Sequence, residues 1–214
     1  MANTFNAQCP SGTFMVGGTV EAIVSNFGTP PAPTINNLTS IECSKNDGTP
    51  NLVISVPPQS NNSVIPSGLG LVTTKLPSCK NGYSKLLSST LNNPVPTIPS
   101  VEIGLEFTCN GDTVNQPSIG YGRFTTPAIA NVSQSTLNCP TGQVIGKLSG
   151  NYTTIQGNIN GWTSVNTDSS NCVNFIPPTS SGSALKLQES NDNTLYTLAI
   201  LIIFVVLFHL FLFM

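Results

Sequence analysis

The clearest pattern in the chain is the alternation of residues 101–109, VEIGLEFTC. The odd-numbered positions are apolar and end at Cys109, whereas the even-numbered positions are polar or small. Because successive side chains of a strand point to opposite faces, this segment is predicted to be a strand with one apolar face. Cys109 then lies on the core face, where it can meet another cysteine.

Other short runs rich in Val, Ile, Thr, Phe and Tyr recur along the chain, separated by turns rich in Gly, Pro and Asn. Trp162, the single tryptophan, is predicted to fill the core. The sequence therefore favours an all-β domain over residues 1–176. The further predicted strands are 14–16, 20–24, 35–43, 52–56, 69–76, 119–124, 144–145 and 173–176, and residues 152–162 are predicted to form a pair of strands with Gly turns or bulges.

The hydrophobic pattern changes over residues 195–214, LYTLAILIIFVVLFHLFLFM, which contain no Asp, Glu, Lys or Arg. As a helix this segment is about 30 Å long, which matches the hydrocarbon core of a bilayer. We predict one transmembrane helix here, joined to the β domain by a polar tether over residues 177–194. Residues along the predicted anchor include Leu195, Ile200, Phe204, Leu207, Phe211 and Met214.

The N-terminal segment MANTFNAQCPSG has neither a basic stretch nor an apolar one, so no signal peptide is visible. We therefore expect insertion after translation as a tail anchor, with residues 1–194 on the cytosolic side by default. The second residue is Ala2, so the N-myristoylation pattern is absent.

Six cysteines divide the domain into three units, about 9–78, 79–138 and 139–176. Each unit opens with a Cys-x-x-Gly motif, and its second cysteine follows a predicted strand 34, 30 or 33 residues later. This internal repeat favours one disulfide per unit, although six cysteines allow fifteen connectivities. The predicted pairs are Cys9 with Cys43, Cys79 with Cys109, and Cys139 with Cys172.

The three Cys-x-x-Gly motifs, each with a cysteine that ends a strand, resemble the β-prism domains of the vitelline membrane outer layer and jacalin-like class. That resemblance covers residues 9–176 and implies three Greek-key units packed about one axis. Two stacked sheets, as in a disulfide-linked sandwich, would fit the same strands. We therefore expect either a sandwich or a three-unit β-prism, followed by the transmembrane helix.

Charge is scarce, because only 7% of residues are Asp, Glu, Lys or Arg, and the net charge is -2. Nucleic-acid binding needs a basic surface, so no such partner is expected. A surface of neutral Asn, Ser and Thr side chains is easier to desolvate than an ionic one. This composition is suited to close packing against neighbouring proteins.

Candidate catalytic groups are few. The single histidine, His209, lies in the predicted anchor, so the domain has no Ser-His or Cys-His pair. Glu102 and Glu106 would lie about 13 Å apart on one strand face, too far for a retaining glycosidase, and are expected to be solvated edge charges. No metal site or cofactor is predicted, and Asn46-Asp47-Gly48 has the composition of a turn.

Disulfides conflict with a cytosolic location, where thiols stay reduced. Large cytoplasmic DNA viruses resolve that conflict with their own thiol oxidases, and the plan of this chain is similar to their disulfide-bonded, membrane-anchored virion proteins. The leading hypothesis is therefore a non-enzymatic minor capsid protein that links an internal membrane to the capsid shell. Its partners would be the lipid bilayer and capsid or other structural proteins.

Two alternatives share this plan. One is a lectin-like surface protein that binds glycans, with Asn-x-Ser/Thr sequons at Asn37, Asn61, Asn131 and Asn151 occupied. The other is a viral component that acts when the particle penetrates its host, although no apolar fusion segment is visible outside the anchor.

Deleting residues 195–214 tests the anchor. Because this segment holds the longest apolar run, the shortened protein should move from the detergent phase to the aqueous phase in a detergent partition. Identical partition of the full and shortened proteins would contradict the membrane assignment.

Overall fold

A computed structural model describes residues 3–25, 34–61, 65, 67–92, 99–113, 115–119, 131–156 and 159–178. These residues form an all-β structure with one short 3₁₀ turn, Ser169–Asn171. The strands are β1 (Asn3–Gln8), β2 (Phe14–Ser25), β3 (Thr34–Ser44), β4 (Leu52–Ser55), β5 (Leu69–Lys75), β6 (Tyr83–Leu91), β7 (Val101–Cys109), β8 (Asn115–Ile119), β9 (Val132–Asn138), β10 (Gln143–Ile145), β11 (Lys147–Gln156), β12 (Ile159–Val165) and β13 (Cys172–Asn174).

The first two units form sheets with the same antiparallel strand order. In unit one the order is β4-β3-β2-β5, and in unit two it is β8-β7-β6-β9. In unit one β2 pairs with β3 and β5, and β3 also pairs with β4. In unit two β6 pairs with β7 and β9 in the same way, and β7 also pairs with β8. The cysteine repeat in the sequence thus corresponds to a repeat in strand topology.

Unit three completes its sheet with the N-terminal strand. The order there is β1-β11-β12, so β1 occupies beside β11 the place that β5 and β9 take in the other sheets. Its register runs from Asn3 opposite Tyr152 to Gln8 opposite Lys147. The sequence analysis did not identify β1, because Phe5 and Ala7 are its only apolar residues.

Each opening cysteine marks the passage of the chain from one sheet to the next. The Cys79 N–H donates to the Val16 carbonyl at 2.9 Å, and the Cys139 N–H donates to the Ser84 carbonyl at 2.9 Å. The Cys9 N–H donates to the Gly146 carbonyl, also at 2.9 Å. These bonds join unit two to one, three to two, and one to three, which closes a ring.

The Cys-x-x-Gly motifs form turns because their glycines adopt backbone angles that other residues avoid. Gly12, Gly82 and Gly142 have φ values of 78°, 74° and 80°. The three disulfides are Cys9–Cys43, Cys79–Cys109 and Cys139–Cys172, as the repeat predicts, with Cα–Cα distances of 5.7, 5.3 and 5.7 Å. A disulfide that closes a loop of about thirty residues stabilises the fold by roughly 3 to 4 kcal/mol.

One hydrophobic core is shared by all three units. The second strands β3, β7 and β12 contact one another pairwise, so each sheet contributes its inner face. Trp162 is fully buried, as predicted, and its ring stacks on Phe5 with centroids 4.1 Å apart. The strand that closes unit three therefore also supplies an aromatic partner to the largest core side chain.

Several details differ from the sequence analysis. Residues 14–16 and 20–24 belong to one strand, β2, which register shifts accommodate near Gly17 and Gly18. The predicted strand 119–124 overlaps the structure only at the end of β8, and its remainder lies outside the described residues. In unit three an insertion containing the 3₁₀ turn separates β12 from β13.

The predicted tether and anchor, 177–194 and 195–214, lie outside the described residues apart from Pro177 and Pro178. Within the described part of the chain, no helix has the length and apolar character needed to cross a bilayer.

Phe5→Ala tests the role of β1. Removing a buried ring that stacks on Trp162 should lower the free energy of unfolding by about 3 to 5 kcal/mol, because it leaves a cavity at the closing strand. Urea denaturation of the oxidised full-length protein in detergent gives the value. The exposed neighbour is the control, since Thr4→Ala should change stability by less than about 0.5 kcal/mol. Equal effects of the two substitutions would contradict the assignment.

Candidate ligand-binding cleft

A cleft of about 700 Å³ opens between the sheets of units one and three. Strands β2 and β3 and the loop after β4 supply one side, and strands β1, β11 and β12 supply the other. This volume lies in the range typical of small-molecule sites. The lining residues are Asn3, Glu21, Asn37, Leu38, Thr39, Val56, Pro58, Gln59, Ser60, Asn61, Tyr152 and Asn160.

Asn37 is the residue that organises the unit-one side. Its Oδ1 accepts hydrogen bonds from the backbone N–H groups of Gln59 and Ser60, both at 2.8 Å. Its Nδ2 donates to Glu21 Oε2 at 3.0 Å. One buried amide thus holds the loop against β3 and fixes the neighbouring carboxylate.

Gln59 provides a second clamp on the same loop. Its Oε1 accepts from the Leu38 N–H at 2.6 Å, and its Nε2 donates to the carbonyl oxygens of Leu38 and Pro57. Because Gln59 is buried, these bonds compete little with water. Gln59 therefore bonds to the backbone N–H and carbonyl of Leu38 on β3, as a neighbouring strand would.

Asn160 joins the two sides of the cleft. Its backbone N–H donates to Ser60 Oγ at 3.0 Å, and its Nδ2 donates to the Gln59 carbonyl at 2.7 Å. Thr154 Oγ1 donates to Asn160 Oδ1 at 2.9 Å, which fixes the orientation of the amide. The cleft is therefore held by hydrogen bonds across the boundary between units.

The described lining combines neutral polar side chains with apolar ones, and Glu21 is its single charged residue. Amide and hydroxyl side chains share the lining with Leu38, Val56, Pro58 and the ring of Tyr152. Among the described lining residues there is no histidine, lysine or cysteine to serve as a base or nucleophile. Because the Asn37, Gln59 and Asn160 amides are already hydrogen-bonded within the protein, they hold the shape of the cleft.

A second cavity of about 550 Å³ lies along the unit-three sheet. It is lined by residues of β1, β11, β12 and the segment just after β12, most of them small and polar, together with Phe5, Lys147 and Val165. Ser149 is only 8% exposed, and its Oγ has no hydrogen-bond partner. This cavity is formed by one sheet alone, whereas the cleft draws on two.

The sequence analysis did not identify the cleft. Its polar residues lie far apart in the chain, and only the placement of Asn37 between Ile35 and Leu38 in a strand signals a polar side chain at a buried position. The candidate sequon at Asn37 is 5% exposed and fully engaged, which makes its amide a structural group. The sequon residues Asn61, Asn131 and Asn151 are exposed.

The remaining predicted residues are placed as follows. All six cysteines are oxidised, so no free thiol remains. The anchor residues and His209 lie outside the described part of the chain. Within the described residues, no group of three or more His, Cys, Asp or Glu side chains gathers to hold a metal ion.

Glu102 corrects the expectation of a solvated edge charge. It is 0% exposed and belongs to β7, which is paired on both sides, by β6 and β8. Ser88 Oγ donates to Oε1 at 2.8 Å, and Thr90 Oγ1 donates to Oε2 at 3.1 Å. Burial raises the pKa of Glu102 to about 7, although these hydrogen bonds oppose the shift. The alternation of β7 suggested one solvated face, but the sheet is covered on both faces at this position.

Comparison of the chain with known protein families, curated proteins and solved structures finds no match.

Glu102→Gln tests the buried carboxyl. Because its folded pKa of about 7 exceeds the unfolded value of 4.5, the folded state retains a proton that the unfolded state releases between these pH values. Stability should fall by up to about 3 kcal/mol as pH rises through this window. Denaturation at pH 5 and pH 8 should show this loss in the original protein and not in Glu102→Gln.

The matched control is Glu106→Gln, which removes a carboxylate from the same strand and leaves Glu102 in place. It should keep the original pH dependence. A Glu102→Gln variant with the same dependence as the original protein would contradict the assignment.

Proposed function

We propose that the protein is a non-enzymatic, membrane-anchored structural protein, a minor capsid protein that ties the internal membrane of a virion to its shell. The observation that carries this proposal is a closed ring of three disulfide-linked units combined with a nearly uncharged composition. A disulfide-linked module with few charged groups loses little free energy when its surface is desolvated, so it is suited to contacts on several sides.

The fold proposed for this module is a β-prism, with three sheets about one axis. Two sheets share one strand order, and β1 completes the third in the equivalent position. The mutual contacts of β3, β7 and β12 support the common axis. Two stacked sheets would require one unit to differ from the others in its packing.

Exposed apolar residues on unit one support protein contacts. Leu52 and Val53 on β4 are 50% and 61% exposed, and β4 is the outer strand of its sheet. Val53 pairs with Glu42 in the register, on the opposite face from Leu52. An edge strand of this kind offers both backbone groups and apolar side chains to a neighbour.

A non-enzymatic role agrees with the chemistry of the domain. The cysteines form disulfides, and Glu102, the one carboxyl among the described residues with a strongly raised pKa, is buried away from solvent. A catalytic acid must reach its substrate. The carboxyl of Glu102 is hydrogen-bonded to the hydroxyls of Ser88 and Thr90 and to backbone groups of its own sheet.

The proposed location is the internal membrane of the virion, with the β domain facing the capsid. Residues 195–214 would form the single membrane span. Viral thiol oxidases would account for three disulfides on the cytosolic side of that membrane.

Val53→Glu tests the structural role in particles assembled with the variant. A charge on β4 should reduce incorporation several-fold, because the contact would bury it without a partner. Ser135→Glu is the control, since Ser135 is exposed on β9, the outer strand of unit two. Quantitative blotting of purified particles gives incorporation, and thermal melting shows whether each variant folds.

A density map of the particle tests the same proposal directly. Each stable interface of the β domain should bury more than about 1,000 Å². A domain without neighbours, or full incorporation of Val53→Glu, would contradict the structural role.

A further inference from the structure

The sequence contains three Asn-Gly dipeptides, and the proposed structural role uses none of them. In such a pair the glycine backbone nitrogen is able to attack the side-chain carbonyl of the asparagine, because glycine has no side chain to obstruct the approach. The structure places the three pairs in different surroundings, so their reactivity should differ. They are Asn81-Gly82 in the second Cys-x-x-Gly motif, Asn110-Gly111 after β7, and Asn160-Gly161 in β12.

The Asn160-Gly161 pair is held in its strand. The Asn160 Nδ2 donates to the Gln59 carbonyl at 2.7 Å, and its Oδ1 accepts from Thr154 Oγ1 at 2.9 Å. Gly161 is buried, and a Cβ added there would lie 2.8 Å from Thr34 Cγ2. The rotation that would bring the Gly161 nitrogen to the Asn160 side chain therefore requires β12 to open locally.

The Asn81-Gly82 pair is restrained through its glycine. The Gly82 N–H donates to the Cys79 carbonyl at 2.9 Å, within a turn in which Gly82 has a φ of 74°. Gly82 is buried against Phe14, because a Cβ added there would lie 2.8 Å from the ring. Although Asn81 is exposed, the attacking nitrogen is hydrogen-bonded, and its peptide plane turns only if this part of unit two opens.

The Asn110-Gly111 pair lacks both restraints. It occupies the centre of a turn that the Asp112 N–H closes by donating to the Cys109 carbonyl at 3.0 Å. Within the described part of the chain the Gly111 N–H has no hydrogen-bond partner, and a Cβ added at Gly111 would meet nothing within 4 Å. Gly111 is exposed and Asn110 is half-buried, so the peptide between them is able to rotate in contact with solvent.

We propose that Asn110 is a site of spontaneous deamidation in the folded protein. The Gly111 nitrogen loses its proton and forms a bond to the Asn110 side-chain carbonyl carbon, while the bond from that carbon to Nδ2 breaks and ammonia leaves. Water then opens the cyclic imide at either of its two carbonyl carbons. The products are aspartate and isoaspartate at position 110, and the sequence of steps needs neither an enzyme nor an oxidant.

The modification would change unit two in two ways. It adds one negative charge next to Asp112, in a chain whose net charge is -2. The isoaspartate form also leads the main chain through the former side chain, which adds one carbon to the turn between β7 and β8. The modified fraction should therefore increase with the age of the folded protein.

The experiment uses the oxidised full-length protein in detergent, incubated in mildly alkaline buffer at physiological temperature. Samples are quenched in acid at intervals, digested and mapped by mass spectrometry, with a separation that resolves isoaspartate from aspartate. We expect Asn110 to react at least about tenfold faster than Asn81 or Asn160, because the other two pairs react only after local opening.

The same chain, reduced and unfolded in guanidinium, is the matched control, because its sequence is unchanged and only the folded structure is removed. There the three pairs should react at rates within about threefold of one another, because an unfolded chain retains only fluctuating structure. Asn110→Gln is a second control, since the longer side chain forms the cyclic imide far more slowly. It should stop the reaction at position 110 and leave the rates at Asn81 and Asn160 unchanged.

Three outcomes would overturn the proposal. The first is a folded protein in which Asn81 or Asn160 reacts as fast as Asn110. The second is modification of Asn110 in the unfolded chain only, since the turn would then protect it. The third is a product that contains aspartate without isoaspartate, which would contradict the cyclic imide.

Discussion

The backbone pairing of β1 with β11 is the interaction on which the rest of the structure depends. Without β1, the unit-three sheet would expose the edge of β11, and Trp162 would lose the ring of Phe5. The same strand leads into Cys9, whose N–H completes the hydrogen-bonded ring of the three units. The short strand β1 therefore connects the sheet of unit three to the core that the units share.

Local features of the structure could be predicted from the sequence, whereas contacts between units could not. Alternation predicted β7, and the recurring Cys-x-x-Gly predicted turns that require positive φ at Gly12, Gly82 and Gly142. The cleft depends on Glu21 and Asn160, which lie 139 residues apart and share no local pattern. The prediction that Glu102 is solvated was wrong for a related reason. A period of two identifies the two faces of a strand but does not show whether other parts of the protein cover them.

In this protein neutral amide side chains connect structural elements that ion pairs connect in many other proteins. Asn37, Gln59 and Asn160 connect a loop, a sheet edge and a second unit through directional hydrogen bonds. Buried amides of this kind specify geometry without the large desolvation cost of a charge. The few charged residues in the composition are therefore compatible with a well-defined arrangement of the units.

The long separation of β1 from its partner strand has a consequence for the order of folding. During synthesis β1 is made about 140 residues before β11. Units one and two can complete their sheets from their own residues. The sheet of unit three forms only when β11 has been made and can pair with β1. Such long-range pairing slows folding and leaves an unpaired strand exposed to other chains. The Cys9–Cys43 bridge, which joins residues of unit one only, would hold the end of β1 in place during that interval.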